Sequence, residues 1–461
     1  MSGGHDSALQ HATLTVAMLT SFMTPFMGAA VNLALPTMAA ELSLDAVVLS
    51  WIATSYVVAA VVGLLPFGRL ADIRGRKRVF STGLACFLAG SLAAAASRTG
   101  AMLITARVVQ GLGGGMVFGT ATAMLISVHP RERRGRVIGW NVASVYLGLS
   151  LGPPVGGWIV GALGWRAIFA VNAALCVVAL WLAFRYIRHE WREATGERFD
   201  LVGAFVYALA IVALAYGFSA PASRAGLASL AAAAAGLGLF VRWELSAQSP
   251  LIDLRVLRDN RVFAFSNLAA LINYAATFAV GFLVSLYLQY VRGLPPQQAG
   301  LVMMSQPVMQ ALFSPVAGRL SDRVEPRLIA SIGMAFTAVG LTWLSFAGEE
   351  TSLVHVGAGL FVLGVGFGLF SSPNTNAVMG SVEPRQYGLA SAMVGTMRLL
   401  GQMFSMATAA LVITLVVGRN AIGPENQAAF LTGARGLLAG FAALSALGVF
   451  ASLARGRVHA R

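Results

Sequence analysis

The 461-residue chain is 57% hydrophobic and only 11% charged, and its mean hydropathy is +0.75. A soluble protein of this length would carry about 25% charged residues, so the composition excludes a soluble globular protein and indicates a membrane protein. The net charge of +14 does not indicate a nucleic-acid partner, because the basic residues stand in short gaps between apolar runs, as membrane topology requires.

Fourteen apolar runs are long enough to cross a bilayer, which takes roughly 20 residues in a helix. The runs are continuous rather than short and alternating, so they predict helices and not the strands of a barrel. They cover residues 13–35, 47–67, 79–97, 101–127, 137–161, 166–185, 201–219, 226–243, 263–290, 298–318, 328–347, 354–379, 388–417 and 434–454. The sequence therefore predicts an all-α membrane protein with 14 transmembrane helices.

Lys and Arg are distributed unequally between the alternate gaps. Gaps on the side of the two termini hold 24 of the 32 residues and gaps on the other side hold six, while Arg107 and Arg398 lie inside runs. Because positive residues stay in the cytoplasm, both termini are predicted to be cytoplasmic. We expect a multi-pass protein of the bacterial cytoplasmic (inner) membrane, a monomer whose partners are membrane lipid and a small-molecule substrate.

A short string recurs at an offset of 250 residues. Gly68-Arg-Leu-Ala-Asp72 follows the second run and Gly318-Arg-Leu-Ser-Asp322 follows the tenth, while the first and ninth runs also begin 250 residues apart. Parallel six-helix repeats around a central substrate path are a recurring plan of transporters. The repeat predicts a six-helix bundle at 1–186, a linker with two extra transmembrane helices at 187–262, and a second six-helix bundle at 263–461.

The loop after the second run places one acid among five cations. We interpret it as a conformational latch, in which Asp72 pairs with an Arg or a helix N-terminus of the other half in one conformation and releases it in another. The alternative is a positive-inside anchor with a solvated ion pair. The predicted latch residues are Gly68, Asp72, Gly75, Arg76 and Asp322.

The fifth run carries glycines at a spacing of four, which share one face of a helix and allow close approach of a neighbour. A proline pair within the run removes backbone hydrogen bonds and favours a kink. We interpret the run as a bendable seam that limits leakage, with ordinary small-residue packing as the alternative. The seam residues are Gly148, Gly152, Pro153, Gly156 and Gly157.

Two arginines and a set of polar and aromatic residues lie inside the runs. A buried Arg costs at least ~2.5 kcal/mol on insertion scales, so each should face the interior and contact a substrate or anion or control the pKa of an acid. For Arg107 the alternative is snorkelling to the surface, and for the amides it is hydrogen bonding between helices. The predicted cavity residues are Asn32, Tyr56, Arg107, Tyr146, Asn273, Tyr274, Gln306, Gln310, Asn374, Arg398 and Gln402.

These strings resemble the major facilitator superfamily, and specifically its fourteen-span drug:proton antiporters. The loop from Gly68 to Arg78 is similar to the signature between helices two and three, and Arg107-Val-Val-Gln110-Gly111 resembles the fourth-helix motif. The glycine-rich fifth run resembles the motif associated with antiporters, meaning exporters. The resemblance implies a major-facilitator fold of two six-helix bundles plus a two-helix insert.

The first helix departs from that family pattern. The family usually carries an Asp a few residues before an Asn-x-Ala-Leu-Pro string, whereas here Asn32-Leu-Ala-Leu-Pro36 is present and the acidic position is Met27. Proton relays in membranes use Asp, Glu or His, and all 18 acids fall in loops or near run ends. Asp72 is by elimination the best candidate for a titrating group.

The chain lacks a phosphate-binding loop, a metal-ligand cluster and a clustered nucleophile and base, so we expect no enzyme, no metal and no cofactor. We expect a secondary active transporter that exports hydrophobic or cationic small molecules (multidrug efflux) by proton antiport with alternating access, with the proton gradient as its energy source. An exporter of a lipid or lipophilic metabolite and an uncoupled facilitator or sensor are the alternatives.

Overall fold

The computed structural model describes residues 2–194, 196–220, 223–252, 254–321, 323–383, 387–418 and 420–456, and Asp322 of the predicted latch lies outside them. Within these residues the chain forms sixteen α-helices, and a π-helical segment, Tyr287–Val291, continues the tenth. These are α1 (Ser2–Leu42), α2 (Ala46–Arg74), α3 (Arg76–Ala95), α4 (Gly100–Val128), α5 (Arg131–Leu163), α6 (Arg166–Tyr186), α7 (Leu201–Ser219), α8 (Arg224–Ser246), α9 (Arg255–Asp259), α10 (Arg261–Leu286), α11 (Pro296–Met303), α12 (Ser305–Ser321), α13 (Pro326–Ser345), α14 (Leu353–Gly380), α15 (Tyr387–Val416) and α16 (Gln427–Ala454).

Thirteen helices within the described residues are long and apolar enough to cross a membrane. The all-helical membrane fold is thereby confirmed, while the count of fourteen stays a prediction. The difference arises at the predicted span 298–318, which is divided into α11, with eight residues, and α12, with 17. Each piece alone is shorter than a span.

A proline accounts for the division of that span. Pro307 has no N–H, so the carbonyl of Met303 loses its partner four residues on, and α11 ends there. The chain nevertheless keeps right-handed helical angles at Met304, whose N–H donates to the Gly300 carbonyl at 3.1 Å. The two pieces therefore form one interrupted rod.

The same helix pairs pack in both halves of the chain. In the first half α1 packs on α5 and α6, α3 on α4 and α6, and α2 on α4. In the second half α10 packs on α15 and α16, α13 on α14 and α16, and α12 on α14. The interrupted rod α11–α12 thus takes the place of α2, and the repeat seen in the sequence recurs in three dimensions. The exact domain boundaries stay a prediction.

Glycines repeated at the 250-residue offset allow the closest of these contacts. A Cβ on Gly83 or Gly90 of α3 would come within 2.6 Å of an atom of α4. A Cβ on Gly333 or Gly340 of α13 would come within 2.6 and 2.8 Å of backbone nitrogens of α14. Real Cβ atoms do not approach so closely, and the small residues let the helices meet backbone to backbone.

Helices α7 and α8 form the insert between the halves. They pack on each other, and α7 also contacts α2 and α15. Helices α2 and α15 contact each other across the two halves, as α5 does with α11 and α12. The insert therefore lies along one of the two seams between the halves.

The two ends of the bundle differ. The Arg-rich end is the end at which α2 meets α3, at residues 69–78, and the opposite end is the end at which α1 meets α2, at residues 41–46. The largest apolar cluster lies at the opposite end and includes Leu33 of α1, Ile52 of α2, Phe282 of α10 and Leu363 of α14. Because it takes side chains from both halves, this cluster closes the halves together there.

Candidate functional site

Arg398 of α15 lies between aromatic rings of the two halves. Its guanidinium carbon is 5.5 Å from the ring centroid of Phe118 in α4 and 5.5 Å from that of Tyr274 in α10. Gly395, one turn earlier, lies against the Phe118 ring, where a Cβ would come within 2.9 Å. The side chains of Arg398, Phe118 and Tyr274 form what we call the central site.

The central site lies deep in the bundle. Arg398 is 11 residues from the start of α15, Tyr274 is 13 from the start of α10, and Phe118 is ten from the end of α4. At 1.5 Å per residue these positions lie about 15–20 Å from the Arg-rich end. The side chains are therefore near the middle of the spans.

Hydroxyl groups link the halves at a similar depth. The Tyr146 hydroxyl of α5 donates to Ser371 Oγ of α14 at 3.2 Å and accepts from Ser314 Oγ of α12 at 3.1 Å. Tyr146 is 15 residues from the start of α5, about 22 Å along the helix. Ser314 and Ser371 were not predicted from the sequence.

Arg398 makes no polar contact within the part of the chain that the structure describes. Its Nε is buried without a hydrogen-bond partner, although the side chain as a whole is half-buried. A guanidinium carries five N–H donors, and of these the buried Nε–H is left unpaired away from water, which is costly. The aromatic rings stabilise the positive charge without using these donors.

Arg107 is also buried but its donors are used within the first half. It is 2% exposed, its Nε donates to the Ile52 carbonyl at 3.2 Å, and its Nη1 donates to Gln110 Oε1. The guanidinium carbon lies 4.3 Å from the ring centroid of Tyr56. Gln110 in turn donates to Ser91 Oγ at 2.9 Å. Arg107 thus joins α2, α3 and α4 and does not snorkel.

Several other predicted cavity residues lie inside the second half. Asn374 accepts from Arg455 Nη1 at 3.0 Å and donates to the Ser266 carbonyl at 3.1 Å. Arg455 was counted with the loop cations, yet it is 0% exposed and belongs to this buried network. Asn273 is 0% exposed, and its amide atoms have no partner among the described residues. Asn374 and Arg455 therefore hold α10 and α14 to the end of α16, whereas the amide of Asn273 makes no such contact within the described residues.

The predicted glutamines lie on α12 and α15 at buried or half-buried positions. Gln306 and Gln310 of α12 pack their backbones against glycines of α14, and the Gln310 side chain is buried. Gln402 is buried one turn after Arg398, on the same face of α15. Among the described residues, no hydrogen bond joins any of the three to Arg398.

Near the opposite end, the halves are joined at a backbone carbonyl that has lost its helical hydrogen-bond donor to a proline. Pro36 of α1 has no N–H, so the carbonyl of Asn32 lacks its helical donor. Ser285 Oγ of α10 donates to that carbonyl at 2.7 Å, and Gln289 Nε2 donates to the Leu33 carbonyl at 3.2 Å and to Ser285 Oγ at 3.0 Å. We call these contacts the cross-half clamp. Asn32 thus contributes its backbone to the contact between the halves.

The glycines of α5 face two neighbours. Cβ atoms on Gly148, Gly152 and Gly156 would come within 2.3–2.6 Å of α1, so one face packs on α1 in the same half. A Cβ on Gly157 would be 2.4 Å from the Pro296 carbonyl oxygen of α11. The other face of α5 therefore packs across the seam.

The partner of that second face is also a glycine. A Cβ on Gly300 of α11 would come within 2.2 Å of the Pro153 carbonyl oxygen. Pro153 lies within α5, and the helix continues through it to Leu163. The contact of α5 with α11 thus depends on the absence of side chains on both helices.

The predicted latch is closed by contacts within the first half and with the segment that follows α6. Arg76 Nε donates to Asp72 Oδ1 at 3.0 Å, and its two Nη atoms each donate to a carboxylate oxygen of Glu193 at 2.7 Å. Glu193 belongs to the segment after α6 and was missed in the sequence, because 117 residues separate it from Arg76. The described residues show no contact of Asp72 with the second half.

Glycine is required at the turn of the latch loop. Gly75 has φ +120°, and a Cβ there would come within 2.4 Å of the Glu190 carboxylate. Glu190 accepts the backbone N–H of Lys77 at 2.8 Å, at the start of α3. Gly68 has no neighbour within 4 Å of a built Cβ. The acids after α6 therefore balance the positive charge of this loop.

Met27, at the position where the family usually carries an acid, lies in the apolar core. Met27 is 1% exposed and belongs to the cluster at the opposite end. Every carboxylate that the structure describes lies in a loop or within three residues of a helix end. The central site therefore holds a cation with no described acid at its depth. The part of the chain that the structure describes contains no cluster of metal ligands.

The chain matches the Major Facilitator Superfamily over residues 17–405 and 266–459. The multidrug resistance protein Stp of Mycobacterium tuberculosis is 32% identical over 405 residues, which are 86% of this chain and 75% of that protein. The riboflavin transporter RibZ of Clostridioides difficile is 28% identical over 396 residues, which are 86% of each protein.

A solved structure supports the fold. The human organic anion transporter MFSD10 is similar with a TM-score of 0.65 over 96% of this chain and 99% of that one, and its 16% identity makes this a likeness of fold alone. The apolar helices and the relatives show a multi-pass membrane transporter and not an enzyme. The chain belongs to the major facilitator superfamily.

Proposed function

We propose that the protein exports small organic molecules by alternating access of the two halves to a shared central site. The observation that carries this proposal is the position of Arg398, which lies at mid-depth between a ring of the first half and a ring of the second. A cargo held between Phe118 and Tyr274 touches both moving bodies. Its binding can therefore depend on their relative position.

An apolar body with some aromatic character suits the cargo. The central site offers rings and a few hydroxyl groups, and such surfaces accept varied hydrophobic molecules. One relative is named a multidrug resistance protein and another a riboflavin transporter, so related chains differ in cargo. The geometry supports the hydrophobic part of the predicted cargo. It lends no support to the cationic part, because Arg398 would repel a cation.

Proton exchange is the energy source that we propose, with Asp72 as the titrating group. Asp72 is half-exposed at the Arg-rich end and pairs with Arg76 at 2.9 Å. Protonation would weaken that pair and leave Arg76 with Glu193 and Ser127 as its side-chain partners. This change of charge at the latch loop would be the link to the motion of the halves.

An uncoupled facilitator is the second candidate. The observation that favours it is the placement of every described carboxylate near a helix end, which leaves the middle of the described spans without an acid. For either candidate we propose a monomer in the lipid of the bacterial inner membrane. The Arg-rich end and both termini would then be cytoplasmic.

Flux in proteoliposomes with an imposed pH gradient tests the proposed function. We expect the protein to move fluorescein faster than protein-free vesicles, with ethidium measured beside it as a cationic comparison dye, and collapse of the gradient to stop the movement of fluorescein. Asp72→Asn should abolish the dependence on the gradient, whereas Glu350→Gln, at an exposed acid of the opposite end, should not. No flux above that of protein-free vesicles would refute export. Flux independent of the gradient would establish the facilitator.

A further inference from the structure

We propose that the cargo is an amphipathic organic anion, whose carboxylate or similar group pairs with Arg398 while its apolar body lies between Phe118 and Tyr274. The inference rests on the proposed function and names the substrate class of the same site.

The first step is the contrast between the half-buried Arg398 and two buried arginines, Arg107 and Arg455. Arg107 has a carbonyl and an amide oxygen as partners, and Arg455 has a carbonyl, two hydroxyl groups and an amide oxygen. Arg398 donates no hydrogen bond to any residue that the structure describes, and its Nε is buried. A guanidinium at mid-depth needs acceptors, so these free donors point to a ligand that supplies them.

The second step is the chemistry that fits those donors. The planar fork of a guanidinium matches the two oxygens of a carboxylate, and such charge-assisted hydrogen bonds are stronger than neutral ones. Phe118 and Tyr274 stabilise the positive charge by cation–π interactions with their ring faces, and these interactions leave the N–H groups available. An anion can therefore bind without displacing a protein group from Arg398.

The third step is the surroundings of the cation. The hydroxyl groups of Tyr146, Ser314 and Ser371 bond to one another at a similar depth, and they are neutral. The described carboxylates lie in loops or within three residues of helix ends, so none competes with the cargo at this depth. No described carboxylate at this depth neutralises the charge of Arg398. In a medium of low dielectric constant Arg398 therefore attracts an anion and repels a cation.

Fluorescence anisotropy of the purified full chain in detergent tests this inference with two dyes that share a xanthene core. Fluorescein carries negative charge, and tetramethylrhodamine methyl ester carries positive charge. The wild-type protein should bind fluorescein at least about ten-fold more tightly than the cationic dye. This comparison needs no variant.

The variants then assign the preference to the residue. Arg398→Gln should weaken fluorescein binding about ten-fold or more, since charge-assisted hydrogen bonds are lost. Arg398→Lys should restore part of the affinity because it keeps the charge but not the fork. The matched control is Arg224→Gln, the same change at an exposed position in α8, which should leave binding unchanged.

Equal binding of the two dyes, or equal fluorescein binding by the wild type and Arg398→Gln, would overturn the anion site. The proposed function fails separately. Fluorescein binding that depends on Arg398 without flux in proteoliposomes would keep the anion site and refute export. Flux of ethidium without fluorescein binding would keep export and refute the anion site.

Discussion

The cross-half clamp should hold the opposite end closed, and its removal should open that end. Ser285→Ala with Gln289→Ala deletes two hydrogen bonds between the halves, of 2.7 and 3.2 Å. A net value of about 0.6–1 kcal/mol for each bond predicts a loss of about 1–2 kcal/mol from the closed state. The population open at that end should rise about 5- to 30-fold, provided that it starts as a minor state.

Chemical labelling of one introduced cysteine measures this population. Gly281 faces Asn32 across the seam, where a Cβ would lie 3.5 Å from Asn32 Nδ2, so Gly281→Cys fits the closed state. Cys86 and Cys176 are first replaced by Ala. The rate of reaction with a membrane-impermeant maleimide added on the side of the opposite end should rise by the factor above. An unchanged or slower rate would refute the clamp.

Two controls separate the clamp from a general loosening of the bundle. Ser345→Ala removes a hydroxyl that bonds only within its own helix, to Thr342 at 2.7 Å, and should not change the labelling rate. Pro36→Ala restores a helical N–H donor for the Asn32 carbonyl. In that background the single change Ser285→Ala should increase labelling less than it does with proline present. An equal increase in both backgrounds would contradict the proposed role of the exposed carbonyl.

Two further predictions concern the latch loop and the seam. Glu193→Gln weakens the two hydrogen bonds to the buried guanidinium of Arg76 in the latch loop. Because Glu193 is 63% exposed, the free energy of unfolding should fall by only about 1 kcal/mol. We expect a lower midpoint of thermal unfolding for this variant and an unchanged midpoint for Glu350→Gln. Gly300→Val places carbon atoms where α5 has a backbone oxygen, so the opposite end cannot close and flux should fall about ten-fold or more. Gly440→Val, at a glycine with open space around it, should leave flux unchanged, and equal fluxes for both valine variants would contradict the seam.

The long elements of the fold could be predicted from hydrophobicity alone. The predicted run 201–219 has the bounds of α7, and 166–185 ends one residue before α6 does. The run 298–318 was predicted as one span because an apolar window does not register the hydrogen bond that Pro307 removes. The glycines of α3 and α13 repeat at the same 250-residue offset as the loop strings, so the sequence also carries a signal for this close helix packing.

The central site could be predicted only in part. Tyr274 and Arg398 of this site could be selected from the sequence because polar or charged groups inside apolar runs are unusual, and Tyr146, outside the site, could be selected in the same way. Phe118 gave no such signal, since one more aromatic residue in an apolar helix looks like packing. Asn374 was assigned to the cavity because the sequence cannot show that Arg455 folds back to bind it.

The latch shows the same limit for contacts at long sequence separation. Asp72 and Arg76 are one turn apart, and their pairing follows from helical spacing. Glu193 completes the network from a segment whose place against the loop depends on the packing of α3 on α6. Charge alone could not select it from the acids of the linker. The partner of Asp72 in another conformation stays a prediction.

Paired distances at the two ends of the bundle test the central claim, that the halves move about a shared site, most directly. Spin labels at Arg98 and Glu350 report the opposite end, and labels at Arg78 and Arg323 report the Arg-rich end, all at exposed positions. When the Ser285→Ala and Gln289→Ala changes open the opposite end, double electron–electron resonance spectroscopy should show that the distance between Arg98 and Glu350 lengthens. The distance between Arg78 and Arg323 should shorten. Two distances that stay fixed, or that change in the same direction, would contradict alternating access.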